Sequence, residues 1–112
     1  MTQDRYSRQI LFNKIGEKGQ EDLRQAQVLI VGMGALGTHL AEGLVRAGVK
    51  QLTIVDRDYI EYSNLQRQTL FTEQDAAEGL PKVIAAKAHL ESIDKDVQIH
   101  AFRSEERRVG KE

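Results

Sequence analysis

One stretch, residues 27 to 48, leaves few folds open. Val28-Leu29-Ile30-Val31 is an unbroken β-branched and aliphatic run, which reads as a strand covered on both faces in a parallel sheet. Gly32-Met33-Gly34-Ala35-Leu36-Gly37 follows directly. From Ala35 to Ala47, Leu36, Leu40 and Leu44 recur every four positions with Ala41 and Val45 beside them, the apolar stripe of a core-facing helix, and Gly48 is its stop. Strand, glycine turn and helix in this order set backbone N–H groups and a helix N-terminus beside a bound phosphate. The G-x-G-x-x-G spacing of Gly32, Gly34 and Gly37 serves NAD, FAD and some ATP sites alike, so its neighbours must decide the nucleotide.

Leu52-Thr53-Ile54-Val55 reads as a second strand that completes a right-handed β-α-β unit and ends at Asp56. Asp56 stands 19 residues after Gly37, a distance that suits a carboxylate accepting hydrogen bonds from ribose hydroxyls. Residues 57–81 have no sustained periodicity and read as a functional loop. Pro81, the only proline, precedes a helix predicted over Lys82 to Ser92, with Val83, Ala86, Leu90 and Ile93 on one face. Val97 to Ala101 alternates as a third strand. Upstream, Ile10, Leu11, Phe12 and Ile15 form an apolar patch in a helical arm that Gly16 and Gly19 punctuate, with a short second helix from Gln20 to Gln25.

The fold class is therefore α/β: a Rossmann-like β-α-β parallel sheet of about three strands with N-terminal helices. Residues 1–25 form the arm and residues 26–102 the front half of a nucleotide-binding domain, because a parallel sheet of three strands has an open edge and a face still to cover. Residues 103–112, Arg-Ser-Glu-Glu-Arg-Arg-Val-Gly-Lys-Glu, offer no core face and read as a charged tail, disordered or non-native.

Charge narrows the partners. Sixteen basic against 17 acidic residues leave a net charge of −1, no electrostatic case for nucleic acid or an anionic membrane surface. No run approaches the roughly 20 apolar residues of a membrane span, and Met1-Thr2-Gln3-Asp4-Arg5 lacks the apolar core of a signal peptide, so the expected address is cytoplasmic. With no cysteine, a thiolate zinc site or cysteine nucleophile is excluded from these residues. His39, His89 and His100 form no ligand spacing.

Five separated motifs narrow the chemistry further. Arg5-Tyr6-Ser7-Arg8-Gln9-Ile10, the glycine turn, Asp56-Arg57-Asp58, Ser63-Asn64-Leu65-Gln66-Arg67-Gln68 and Pro81-Lys82 resemble, in order and approximate spacing, the ThiF/MoeB/HesA family of bacterial relatives of the ubiquitin-activating enzymes. The resemblance covers about residues 5 to 102 and looks closest to the ThiF-like thiazole-biosynthesis adenylyltransferases, with MoeB-like molybdopterin-synthase activators close behind. It implies that the C-terminal glycine carboxylate of a ubiquitin-like sulfur carrier attacks the α-phosphate of ATP, giving an acyl-adenylate and pyrophosphate. Such a reaction needs positioning and cations more than a protein nucleophile.

By this resemblance Arg67 and Lys82 supply cations, and Arg8 is the arginine that the opposite protomer of a homodimer inserts toward the triphosphate. Asn64 is implied as a phosphate or ribose ligand, Asp56 as the ribose clamp, and Ser63 and Gln66 as supporting members of their loop. Gly32, Gly34 and Gly37 shape the phosphate seat, with the backbone of Gly34 and Ala35 facing it; many relatives have glycine where Ala35 stands. The family's magnesium-binding aspartate lies beyond residue 102, and its zinc-binding Cys-x-x-Cys pairs and sulfur-handling cysteine lie further on. The complete protein is thus expected to be an adenylyltransferase, and this chain alone inactive. Two other readings remain open. An NAD-dependent oxidoreductase satisfies the glycine turn and Asp56 but leaves Ser63 to Gln68 and Lys82 unexplained. A non-catalytic partner subunit would have no need of Asp56, Arg67 and Lys82 together.

Overall fold

A computed structural model describes residues 2–103; of the tail expected over residues 103–112, all but Arg103 lies outside them. Helices α1 (Thr2–Leu11) and α2 (Gly16–Gln25) lead into strand β1 (Gln27–Val31), helix α3 (Ala35–Ala47) and strand β2 (Gln51–Val55). Helix α4 (Glu73–Glu78), helix α5 (Lys82–Ile93) and strand β3 (Gln98–Phe102) follow. The strands form one parallel sheet in the order β1-β2-β3.

Register explains which side chains make the core. Val28 aligns with Leu52 and Ile99, and Ile30 with Ile54 and Ala101. These rows pack under α3 and α5, where Val45, Val83 and Leu90 are almost completely buried. The alternate rows, Leu29–Thr53–His100 and Val31–Val55–Phe102, point to the other face. No helix among the described residues covers that face: Leu29 is 62% exposed, Val31 76% and Phe102 56%. The expectation that β1 is covered on both faces therefore fails for the described residues. An apolar run gives the pairing of a parallel strand, but both crossover helices lie on one side of this sheet.

The expected apolar stripe of α3 is buried only in part: Ala41 and Val45 are buried and Leu44 packs against the core, but its first two leucines are not buried. Thr38, Ala41 and Val45 are its buried residues, whereas Leu36 is 79% exposed and Leu40 is 47% exposed. Small inward side chains let the helix axis lie close to the sheet, a benefit that outweighs exposing two leucines. Gly48 ends α3 in the left-handed conformation with φ +116°, as its sequence position suggests.

The long connection is more ordered than its composition suggests. Residues 57–81 hold a single 3-10 turn, Tyr62–Asn64, and α4. Periodicity misses both because each is too short to repeat an apolar face. The helix after Pro81 starts at Lys82 as expected, with Pro81 as its N-cap. Helix α2 begins at Gly16 rather than Gln20, and Gly19 lies inside it; glycine weakens a helix without forbidding it.

The N-terminal arm is bonded to the ends of the crossover helices. Gln9 and Gln20 each donate through Nε2 to the Ala47 carbonyl, at 3.0 and 2.9 Å, and Arg5 Nη1 donates to the Ile93 carbonyl at 3.1 Å. These are carbonyls that the last turns of α3 and α5 leave without helical partners. Beside them Lys50 Nζ donates to Asp94 Oδ2 at 2.5 Å and to the Tyr6 hydroxyl at 2.9 Å. Burial works to raise the Asp94 carboxyl, but hydrogen bonds from Lys50 and the Asp96 N–H outweigh it and hold the carboxyl below the usual range. Burial likewise works to lower Lys50, and its bonds to Asp94 and Tyr6 raise it on balance.

A depressed carboxylate stabilises the fold fully above its unfolded pKa, about 3.9, and that contribution is lost as pH falls through the folded value. Asp94→Asn is expected to lower the unfolding free energy by about 1.5–3 kcal/mol at pH 7, as for a hydrogen bond to a charged group. Urea unfolding should show the two proteins converging below pH 4; a gap undiminished at pH 3 would contradict the ion-pair origin of the effect.

Candidate active site

Four of the five motifs, all but Arg5–Ile10, meet at the C-terminal ends of the strands. The sheet ladder runs directly into the glycine turn, where the Gly32 N–H donates to the Val55 carbonyl at 2.7 Å. Gly32 has φ +99°, a conformation that side chains other than glycine rarely adopt. Gly37 is required for a different reason: a Cβ there would overlap the Gly32 carbonyl oxygen. The first turn of α3 therefore lies directly on the backbone of the turn, with its N-terminus at the rim.

Asp56 fastens β2 to this turn. Its Oδ2 accepts the Met33 N–H at 2.6 Å, and its Oδ1 accepts the Asp58 N–H at 2.8 Å. The carboxylate thus holds the middle of the glycine turn and the first residues of the long connection at once. Both oxygens keep acceptor capacity for a further donor.

The two ends of residues 57–81 are stitched together. The Lys82 N–H donates to the Asp58 carbonyl at 2.9 Å, Tyr59 bridges Pro81 in antiparallel fashion, and the Ile60 N–H donates to the Leu80 carbonyl at 2.9 Å. This closure brings Lys82 beside Asp58, with Nζ 4.0 Å from Oδ2. The Lys82 side chain is only 8% exposed, while that of Asp58 is 61% exposed. A buried cation in the first turn of a helix sits against the unfavourable end of the helix dipole. Such a placement raises the local positive potential instead of neutralising it, and an anion is what it suits.

Within the loop the candidates divide. Asn64 is buried, and its Oδ1 accepts the Glu61 N–H at 2.9 Å in a reciprocal capping box; it shapes the loop whatever else it binds. Ser63, Gln66 and Arg67 are exposed at the rim, where Arg67 Nη1 donates to the Ser63 carbonyl at 3.2 Å. Gln68, which falls in the same motif but is not among the candidates, is buried with its Oε1 unpartnered. Helix α4 is fixed beyond it by Asp75, which caps its start with Thr72 and meets His89 Nε2 of α5 at 2.7 Å. His89 is thus a packing partner that the sequence marks no differently from any helix residue.

Arg8 is not brought to this cluster within one chain. It is exposed on α1, the helix bonded to the C-terminal ends of α3 and α5, at the end of the sheet where the strands begin. Among the described residues no group of three or more His, Cys, Asp or Glu side chains could hold a metal ion. Nor is any helix there long and apolar enough to cross a membrane.

Comparison with known proteins decides what this arrangement belongs to. The model of the ThiF family matches residues 6–109. The chain belongs to the ThiF family. Over 95 residues it is 56% identical to the sulfur carrier protein ThiS adenylyltransferase of Bacillus subtilis, a match covering 85% of this chain and 28% of that protein. It is also 46% identical, again over 95 residues, to the molybdopterin-synthase adenylyltransferase of Salmonella typhimurium, covering 85% of this chain and 37% of the relative. The crystal structure of PaaA superposes with a TM-score of 0.81 at 37% identity, covering 90% of this chain and 33% of PaaA. This ThiF-family chain therefore spans between about a quarter and two fifths of the length of these relatives.

The turn geometry separates two glycines of the same helix. Gly37→Ala must push α3 off the turn and is expected to cost about 1–3 kcal/mol, the usual range for overpacking. Gly43→Ala, where an added Cβ meets nothing within 4 Å, should stabilise by about 0.5–1 kcal/mol through better helix propensity. Denaturant unfolding of the two variants checks the difference in sign.

Proposed function

We propose that this chain supplies the ATP-binding part of an adenylyltransferase that activates the C-terminal glycine carboxylate of a ubiquitin-like sulfur carrier. The observation that carries this reading is the buried Lys82 at the start of α5, linked through Asp58 and Asp56 to the middle of the glycine turn. A hydride-transfer site needs a phosphate seat and a ribose clamp but no buried cation beyond them. Attack on a phosphate gathers negative charge on its oxygens, and fixed cations stabilise that charge. The relatives' names support the same reaction, for a ThiS carrier in one case and molybdopterin synthase in the other.

In this reading Gly32, Gly34, Ala35 and Gly37 seat the phosphates, and Asp56 takes the ribose. Lys82 and Arg67 face the α-phosphate as the carrier carboxylate attacks and pyrophosphate leaves. Ser63, Asn64 and Gln66 keep the loop in register. Arg8 acts across a homodimer, consistent with its place far from its own chain's turn. Magnesium, and any structural zinc, would be held by residues beyond residue 102. The enzyme is cytoplasmic and serves thiamine or molybdopterin sulfur transfer. The 112-residue chain binds nucleotide without turning it over; carrier-dependent exchange of pyrophosphate into ATP by the chain alone would overturn that statement.

Calorimetric titration of the chain tests the central claim. ATP is expected to bind and NAD is not, and the reverse result would favour the oxidoreductase reading. Arg67→Ala and Lys82→Ala should each weaken ATP about 10–100-fold, the loss of one hydrogen bond to a charged group. Unchanged affinity in both would make this a scaffold without a working site.

A further inference from the structure

Gln68 is an uneconomical residue for the place it occupies. It is 3% exposed, the most deeply buried side chain of the Ser63–Gln68 run, and its Oε1 has no hydrogen-bond partner. Its backbone is committed: the N–H donates to the Asn64 carbonyl at 2.9 Å, and its carbonyl accepts the Phe71 N–H at 3.1 Å. Leu70 and Phe71 just beyond it are core residues, so an apolar side chain at 68 would continue the core with no polar atom to desolvate. Buried amides are satisfied in the great majority of cases, and an orphan calls for an explanation.

The explanation lies in what the amide faces. A Cβ placed on Gly34 would stand 3.8 Å from Gln68 Nε2, so the amide nitrogen faces the second glycine of the phosphate turn. A glutamine amide offers N–H donors and a carbonyl acceptor together. A nucleotide brings the complement of both, with phosphate oxygens that accept and ribose hydroxyls that donate. Nothing apolar would use the amide, and inorganic phosphate would leave the carbonyl orphaned.

We propose that Gln68 is a nucleotide-positioning residue whose side-chain hydrogen bonds form only when the glycine turn is loaded. The amide lies with Nε2 toward Gly34 and with Oε1 buried and unpartnered. When the nucleotide binds, the amide turns its N–H to a phosphate oxygen and its carbonyl to a ribose hydroxyl. Since the backbone of Gln68 is tied to Asn64 and Phe71, the bond also fixes the loop that carries Arg67. This inference rests on the nucleotide reading of the glycine turn.

The test is Gln68→Met, which keeps length and bulk and removes the amide. Thermal unfolding of the empty variant is expected to match or exceed that of the wild type, because no protein partner is lost. Its affinity for ATP is expected to fall about 5–20-fold, the loss of one or two hydrogen bonds. Unchanged affinity, or a loss of empty-state stability that parallels the loss of affinity, would overturn the proposal in favour of a purely structural glutamine. A second measurement needs no variant: in the wild-type chain, the Gln68 side-chain NH₂ resonances should shift and exchange more slowly with solvent when ATP is added. Resonances that do not move while ATP binds would also overturn it. If the wild-type chain does not bind ATP at all, the nucleotide reading itself fails first, a result that the variant's behaviour cannot mimic.

Discussion

The structure depends on how closely α3 approaches the backbone at the end of β1. With no Cβ at Gly37, the first turn of the helix rests on the Gly32 carbonyl. That contact draws the whole helix down onto the sheet and makes Thr38, Ala41 and Val45 the buried face. It also aims the N-terminus of α3 at the mouth of the turn, where a phosphate gains both the free N–H groups and the helix dipole. The same close approach therefore serves packing and binding, and neither could be altered without the other.

The two ends of the sheet are finished in different ways. At the ends where the strands begin, polar side chains of α1 and α2 satisfy helix carbonyls, and a Lys50–Asp94–Tyr6 cluster closes the edge. Lys50, Asp94 and Tyr6 are all hydrogen-bonded to one another there. At the ends where the strands finish, Asp56 is bonded but not saturated, Lys82 is buried with only a distant carboxylate, and Gln68 Oε1 is unpartnered. Polar groups left partly unsatisfied are the ones a ligand can complete, which is why the proposed site is placed at this end.

Much of this arrangement is legible in the residues, and its failures share one cause. The strand at Val28 to Val31, the glycine turn and the helix ending at Gly48 follow from short-range patterns, and the structure has them all. Leu36 and Leu40 point away from the core, while Ala41, Val45 and, in part, Leu44 pack against it, because α3 carries two apolar faces and only its close approach to the sheet selects between them. β1 is as apolar outward as inward, so its sequence cannot say which row lies under the helices. In residues 57–81, α4 and the 3-10 turn depend on capping boxes at Thr72–Asp75 and Glu61–Asn64, signals too local to show as periodicity. Gln68 has no sequence signal that distinguishes it from Gln66, since burial decides between them.

The sequence by itself determined the order of strand, turn and helix, the parallel sheet and the set of motifs that mark the ThiF family. These rest on local rules: which residues favour a strand, which tolerate φ above zero, and which spacing fits a phosphate turn. Only the tertiary structure decided which faces are buried, that Lys82 is a buried cation, that Arg8 lies at the opposite end of the strands, and that Gln68 is buried with Nε2 toward Gly34 and Oε1 unpartnered. Those properties come from contacts between segments distant in the chain, above all the stitching of Asp58–Ile60 to Leu80–Lys82. No local pattern encodes the distance between two side chains that the fold brings together.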